Sequence, residues 1–280
     1  MKRKALIILS LVAIAIIVIA TTGSKTLHTD YIDSFTNEQT PNYRLIWEDD
    51  FNGNQIDESK WSKCNRMAPA WACHMSKDDR LFRVKKGFIR LYCMRNTWLP
   101  NDTAPVLTGG IDSKGKFEMG YGKLEVRARM KGAMGCWPAI WLVRTTTPQS
   151  DPYDYAELDL VERYNHDNKV NHSVHTHYID TQKKQKREEH IRGVDVNVGR
   201  WNIYAVEILP ERIVFSVNGT TTFVYNKVNI PGIRGHWPFG RTKCRIIMDM
   251  QWGNRWLKDR RPQELPAYLD IDWVKAYSMD

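Results

Sequence analysis

Three carboxylates crowd one short stretch of this sequence: Glu157, Asp159 and Glu162, within Tyr155-Ala156-Glu157-Leu158-Asp159-Leu160-Val161-Glu162-Arg163. Apolar and polar residues alternate there, as in a β-strand whose successive side chains point to opposite faces. Glu157 and Asp159 share one face; Leu158 and Leu160 take the other. A regular strand would turn Glu162 to the leucine side and bury its charge, which is costly without a partner. A β-bulge near Leu160-Val161 removes the conflict, because one extra residue resets the parity and returns Glu162 to the acid face.

Three acids on one face suit the cleavage of a glycosidic bond. Retaining cleavage needs two carboxyl groups about 5–5.5 Å apart, one an ionised nucleophile and the other a protonated acid. A third carboxylate between them crowds like charge and drives the pKa values apart, as two different roles require. On this reading Glu157 is the nucleophile and Glu162 the general acid and then base. Asp159 orients and tunes the nucleophile. The plain alternative is a solvated strand face that happens to be acidic, and the spacing alone does not separate the two.

The elements that must hold these acids are also strands. Alternating runs recur at Gly87–Tyr92, Gly122–Arg129, Arg212–Val217, Arg245–Met248 and Leu269–Val274, with Lys86-Gly87, Asn218-Gly219 and Pro231-Gly232 as turn signals. No long helical period appears after residue 26. Many short strands with turn punctuation predict an all-β sandwich or jelly roll.

The N-terminus is organised differently. Lys2-Arg3-Lys4 precede an apolar run from Ala5 to Ala20, followed by Thr21, Thr22, Gly23 and Ser24. Basic, apolar and small residues in that order read as a signal peptide over 1–25, with an uncleaved N-terminal anchor as the alternative. Residues 26–42 read as a polar linker and 43–280 as one catalytic domain. The expected location is therefore exported: periplasmic, cell-surface or extracellular. Without residues 1–25 the chain carries 37 Lys+Arg against 32 Asp+Glu, a net +5, which gives no argument for a nucleic-acid partner. The local basic run at Lys183–Arg187 reads as a solvated loop. We expect a monomer. Of the five cysteines, Cys64 and Cys73 are the nearest pair and a candidate bridge. Cys93 and Cys136 sit in apolar, strand-like contexts that suit a core.

With the acid strand in place, a family resemblance emerges. Glu157-Leu158-Asp159-Leu160-Val161-Glu162 resembles the E-x-D-x-x-E signature of family-16 glycoside hydrolases, in the bulged form of their laminarinase-like branch. Trp47–Gly53 with Lys60-Trp61, Tyr121–Ala128, Gly135–Leu142, Trp201–Ile208 and Asp272–Tyr277 are similar to other landmarks of that family, in the same order. Ile208, where the family often has Trp, and Cys136 depart from the pattern. The resemblance covers roughly residues 44–278. It implies a concanavalin-like β-jelly roll with a concave cleft, and endo-acting, retaining hydrolysis of a β-linked polysaccharide without a required cofactor. β-1,3- or mixed-linkage glucan and β-galactoside chains such as poly-N-acetyllactosamine of mucin O-glycans are the substrates it leaves open.

Substrate contacts follow partly from the residues and partly from the resemblance. Trp137 and Trp141 share a strand face opposite Ile140 and Leu142, so they line the cleft if the aliphatic pair faces the core. The other reading is that both simply pack the sandwich. Trp252, Asn65, Arg95 and Trp71 are weaker candidates, the resemblance placing Asn65 and Arg95 near sugar hydroxyls. It also points to His175 as a partner of an acid or of substrate. His175 and His177 would share a strand face, and a His-x-His strand can bind metal; we expect no catalytic metal. The family also allows a structural calcium, with Asp272 as a candidate ligand. Two rival readings remain: a lectin-like carbohydrate-binding protein on the same fold, and a metal-dependent enzyme using the histidines.

Overall fold

The computed structural model describes residues 41–279 except 148, 183, 184, 229, 230 and 255. The expected signal or anchor and nearly all of the linker lie outside the described residues, as do Lys183 and Lys184 of the basic run. Sixteen strands follow one another: β1 (Tyr43–Asp49), β2 (Ser62–Lys63), β3 (Phe82–Val84), β4 (Ile89–Arg95), β5 (Val106–Thr108), β6 (Gly110–Asp112), β7 (Gly122–Lys131), β8 (Cys136–Arg144), β9 (Ala156–Glu162), β10 (Lys169–Thr176), β11 (Ile191–Asp195), β12 (Asn202–Ile208), β13 (Arg212–Val217), β14 (Thr220–Asn226), β15 (Cys244–Trp252) and β16 (Ala267–Met279). Among the described residues, two one-turn helices, α1 (His177–Asp180) and α2 (Arg187–His190), lie between β10 and β11.

The strands form two antiparallel sheets. One runs β14-β13-β12-β7-β16-β4-β3, with β1 on β16 and β5 on β4; the other runs β11-β10-β9-β8-β15-β6-β2. Alternation explains the first sheet directly. In β7, Leu124, Val126, Ala128 and Met130 are buried while the residues between them are not. The β13–β14 hairpin turns at Asn218-Gly219 with φ of 52° and 80°. Both angles are positive, as a two-residue turn matching the strand twist requires, and Asn and Gly tolerate them best.

The main core lies between the sheets and includes Ile140, Leu142, Leu158, Phe215 and Leu269. Cys93 and Cys136 are both fully buried there, as expected. The second sheet differs from the first: β8, β9 and β15 are buried on both faces along most of their length. A separate apolar cluster covers part of its outer face. It joins Cys64, Ala72 and Met75 of the 64–75 loop to Ala139, Trp141, Val143 and Ile247. That loop comes close because Gly110 has no side chain; a Cβ there would run into Asp249, Cys64 and Met75. The candidate Cys64–Cys73 bridge is absent. Cys64 is buried in this cluster, whereas the Cys73 thiol turns to the Ala70 carbonyl at 3.2 Å.

Candidate active site

The strand register shows the bulge. On one side of β9, Trp141 pairs with Asp159 and Ile140 with Val161; on the other, Ser173 pairs with Asp159 and Asn171 with Glu162. Two residues of β10 thus span three of β9, and the extra one lies between Asp159 and Glu162. Leu160 and Val161 consequently both enter the core. Glu162 returns to the face of Glu157 and Asp159, as the cost of burying it among leucines demands.

Each acid has its own partners. The Tyr155 hydroxyl donates to Glu157 Oε2 at 2.5 Å. Trp137 Nε1 donates to Glu162 Oε1, and Ser173 Oγ to Glu162 Oε2, each at 3.0 Å. Asp159 stands between them with its Oδ2 3.4 Å from His175 Nε2. His175 Nδ1 in turn lies 3.0 Å from Asp180 Oδ1. Asp180 is delivered by α1, whose first turn is capped by the Thr176 hydroxyl accepting from the Ile179 amide.

Burial and like charge set the electrostatics. Burial raises the pKa of Asp159 well above the carboxylate range, reinforced by Glu162 and Glu157. Burial also raises Glu157, but His175 and the Tyr155 hydroxyl pull it back toward ionisation. Burial pulls His175 down; Asp180, Asp159 and Glu157 outweigh that pull and carry it to about 10. His175 is therefore an imidazolium at neutral pH, held between carboxylates on two elements. Its stabilising contribution is present in full below the unfolded value of 6.5 and is lost as pH rises through 10. Asp180→Asn keeps an acceptor for Nδ1 but removes the negative charge beside it, so the His175 titration followed by NMR should move from near pH 10 toward its ordinary value. A titration that does not move would show that Asp180 is not what holds the proton.

A fourth carboxylate lies on the same face, across Ala139 from Glu162: Asp249, on β15. It is fully buried, accepts from Gln251 Nε2 at 3.0 Å, and its pKa is pushed up to about 8 by burial. A raised acid pKa contributes stability below the unfolded value of 3.8, and that contribution is lost as pH rises through 8. Replacement by Asn should therefore favour the variant increasingly between those limits, by up to about 6 kcal/mol. Denaturant unfolding of both proteins at the two ends of the window measures this; a difference independent of pH would mean that Asp249 ionises normally.

The chain matches the family described as glycosyl hydrolases family 16 over residues 75–275. It belongs to that family. Keratan-sulfate endo-1,4-beta-galactosidase of Sphingobacterium multivorum is 28% identical over 87% of this chain and 57% of its own length. This chain thus spans little more than half of that relative. Beta-glucanase of Rhodothermus marinus is 25% identical over 88% of this chain and 89% of its own length. The solved laminarinase of Rhodothermus marinus superposes with a TM-score of 0.74 at 23% identity, covering 86% of this chain and 100% of that one, which establishes the jelly-roll fold. The bulge in β9 agrees with the laminarinase-like form of the family-16 signature.

Against this family-16 frame, the expected contacts divide. Trp137 is half-buried beside Glu162, with Tyr164 and Trp256 tilted against its ring at 5.8 and 5.6 Å between centroids. Neither neighbour was expected from the sequence; Trp256, 54% exposed, extends the aromatic surface outward. Trp141 shares the acid face as expected, but it is only 6% exposed because Trp71 packs edge-on against it at 5.1 Å. Trp71, not Trp141, presents its ring to solvent there. Trp252 is a correction: it alternates with Gln251, points away from the acids and is buried in the main core. Asn65 is exposed at the start of the 64–75 loop, and Arg95 is exposed at the end of β4, in the opposite sheet.

The histidine expectation also changes. β10 ends at Thr176, so His177 begins α1 and packs on Tyr153 instead of sharing a strand face with His175. His172 faces the core, with Nδ1 2.7 Å from the Leu160 carbonyl. Ligand atoms of Glu157, Asp159 and His175 lie within 4.8 Å of one another, close enough for a cation to bridge. The same contacts also have a reading without a metal, because His175 already bridges Asp159 and Asp180 through its two ring nitrogens. Asp272, the candidate calcium ligand, is ion-paired with the Arg127 guanidinium and does not support a calcium site.

Proposed function

We propose that this family-16 protein is an exported, endo-acting, retaining β-glycosidase. The observation that carries the reading is the bulge, which gathers Glu157, Asp159 and Glu162 on one face. Glu162 protonates the leaving glycosidic oxygen while Glu157 attacks the anomeric carbon. Water then opens the glycosyl enzyme, with Glu162 now accepting its proton. Asp159 and the His175 imidazolium hold the nucleophile side of the site. Trp137, placed by its bond to Glu162, offers an aromatic face for the sugar beside the cleaved bond, and Trp256 extends it.

The basic-apolar-small order of residues 1–25 supports export. The relatives' names support two substrate classes, β-galactoside chains and β-glucans, and the mucin O-glycan expectation falls in the first. Product analysis decides between them. The purified protein should release short oligosaccharides from one of keratan sulfate, mucin O-glycans, laminarin or mixed-linkage glucan. Binding to one of these without any release would favour the lectin-like reading.

A further inference from the structure

Cys136 departs from the family pattern, and nothing in the chemistry above uses it. It begins β8, one residue before Trp137, and its side chain turns into the main core. Cys93 lies on β4 of the opposite sheet and faces inward too, in step with Ile89 and Leu91. Both thiols are free, and both residues are fully buried.

Stacked sheets lie roughly 10 Å apart, beyond the span of about 4.4–6.8 Å between the Cα atoms of a disulfide. These two sheets close on each other at one corner, where Gly109 joins β5 to β6. Its amide donates to the Tyr92 carbonyl of β4 at 2.8 Å, and its carbonyl accepts from the Met250 amide of β15 at 2.9 Å. Cys93 follows Tyr92 directly. Cys136 pairs with Trp252, two residues past Met250. The corner thus brings the two cysteines together across the core, and the Cys136 thiol is the hydrogen-bonding neighbour of the Cys93 thiol. Burial, reinforced by that neighbour, pushes the Cys93 thiol well above its ordinary range. The thiolate is the reactive form, so the pair is inert once folded and a bond between them must close while the chain folds.

We propose that Cys93 and Cys136 form a disulfide that joins and stabilises the two sheets when the chain folds in the presence of an oxidised thiol such as glutathione disulfide. The thiolate of one cysteine attacks the glutathione disulfide, forming a mixed disulfide and expelling a glutathione thiolate, which takes up a proton. The second cysteine, also as thiolate, attacks the protein sulfur of that mixed disulfide and expels the other glutathione. Two cysteine thiols are oxidised, and one glutathione disulfide is reduced to two glutathione thiols. Closing the 93–136 segment restricts the unfolded chain. In the folded protein the bond anchors the first residue of β8, beside the Trp137 that holds Glu162. The inference does not rest on export, because the test supplies the oxidant; export would bring the chain to an oxidising compartment in the cell.

The test is cell-free synthesis of the full-length protein in a glutathione redox buffer and, separately, in dithiothreitol. Each product is denatured, its free thiols are alkylated, and its peptides are read by mass spectrometry. From the glutathione preparation the Cys93 and Cys136 peptides should be recovered joined, and reduction should separate them. Cys64, Cys73 and Cys244 should be alkylated. Before denaturation, the joined protein should melt about 10 °C above the dithiothreitol preparation. Cys93→Ala should melt alike from both. Alkylation of both Cys93 and Cys136 in the glutathione preparation would overturn the proposal. So would a bond from either to another cysteine, equal melting of the two wild-type preparations, or folding only in dithiothreitol.

Discussion

Glu157→Gln should leave a folded protein whose turnover falls by on the order of 10⁴-fold or more, with oligosaccharide binding retained. The substitution is nearly isosteric and keeps an acceptor for the Tyr155 hydroxyl, so the strand should be undisturbed. What disappears is the carboxylate that attacks carbon. Nothing else on this face is placed to replace it: burial, reinforced by Glu162 and Glu157, raises Asp159 toward its neutral form, Asp249 is fully buried, and Glu162 is tied to Trp137 and Ser173 on the far side of the bulge. Steady-state rates beside a thermal melt check this. A variant with wild-type turnover would remove Glu157 from the chemistry.

Glu162→Ala should behave differently, because its two tasks can be bypassed separately. Loss of a general acid costs about 10²–10⁴-fold on a polysaccharide, whose leaving sugar must be protonated. An aryl glycoside with an acidic phenol needs no such help, so formation of the glycosyl enzyme from it should slow far less. Hydrolysis of that intermediate then becomes limiting, since the base is gone as well. Azide, small enough for the space between Trp137 and Ser173, should relieve that limit and yield a glycosyl azide of retained configuration. The measurements are the ratio of activities on the two substrates and the rate with added azide. Equal losses on both, with no rescue, would mean that Glu162 supports the fold or binding instead of proton transfer.

The sequence carried the two-sheet architecture because most strands alternate cleanly. It carried the bulge because a simple cost, a carboxylate among leucines, had a simple remedy. Ser173 and Tyr155 were also within reach, since each shares a parity with a residue already singled out: Ser173 with His175, Tyr155 with Glu157. Trp252 failed for a physical reason. β15 is buried on both faces, so its apolar residues show no period, and only Asp249 and Gln251 mark which parity faces the acids. Asp180 and the covering role of Trp71 were not legible, because both depend on where a loop or a single helical turn folds back onto the sheet. The His175–His177 face dissolved for a related reason: Thr176, an ordinary strand residue by type, caps a helix and ends the strand.

The most direct test of the account is to trap the glycosyl enzyme. Reaction with a 2-deoxy-2-fluoro glycoside bearing a good leaving group, on the sugar identified by product analysis, should inactivate the protein. Mass spectrometry should then find one glycosyl adduct, in the peptide containing Tyr155–Arg163 and on Glu157. An adduct on Glu162 would reverse the assigned roles. Turnover of the reagent without any adduct, together with products of inverted configuration, would contradict the double displacement itself.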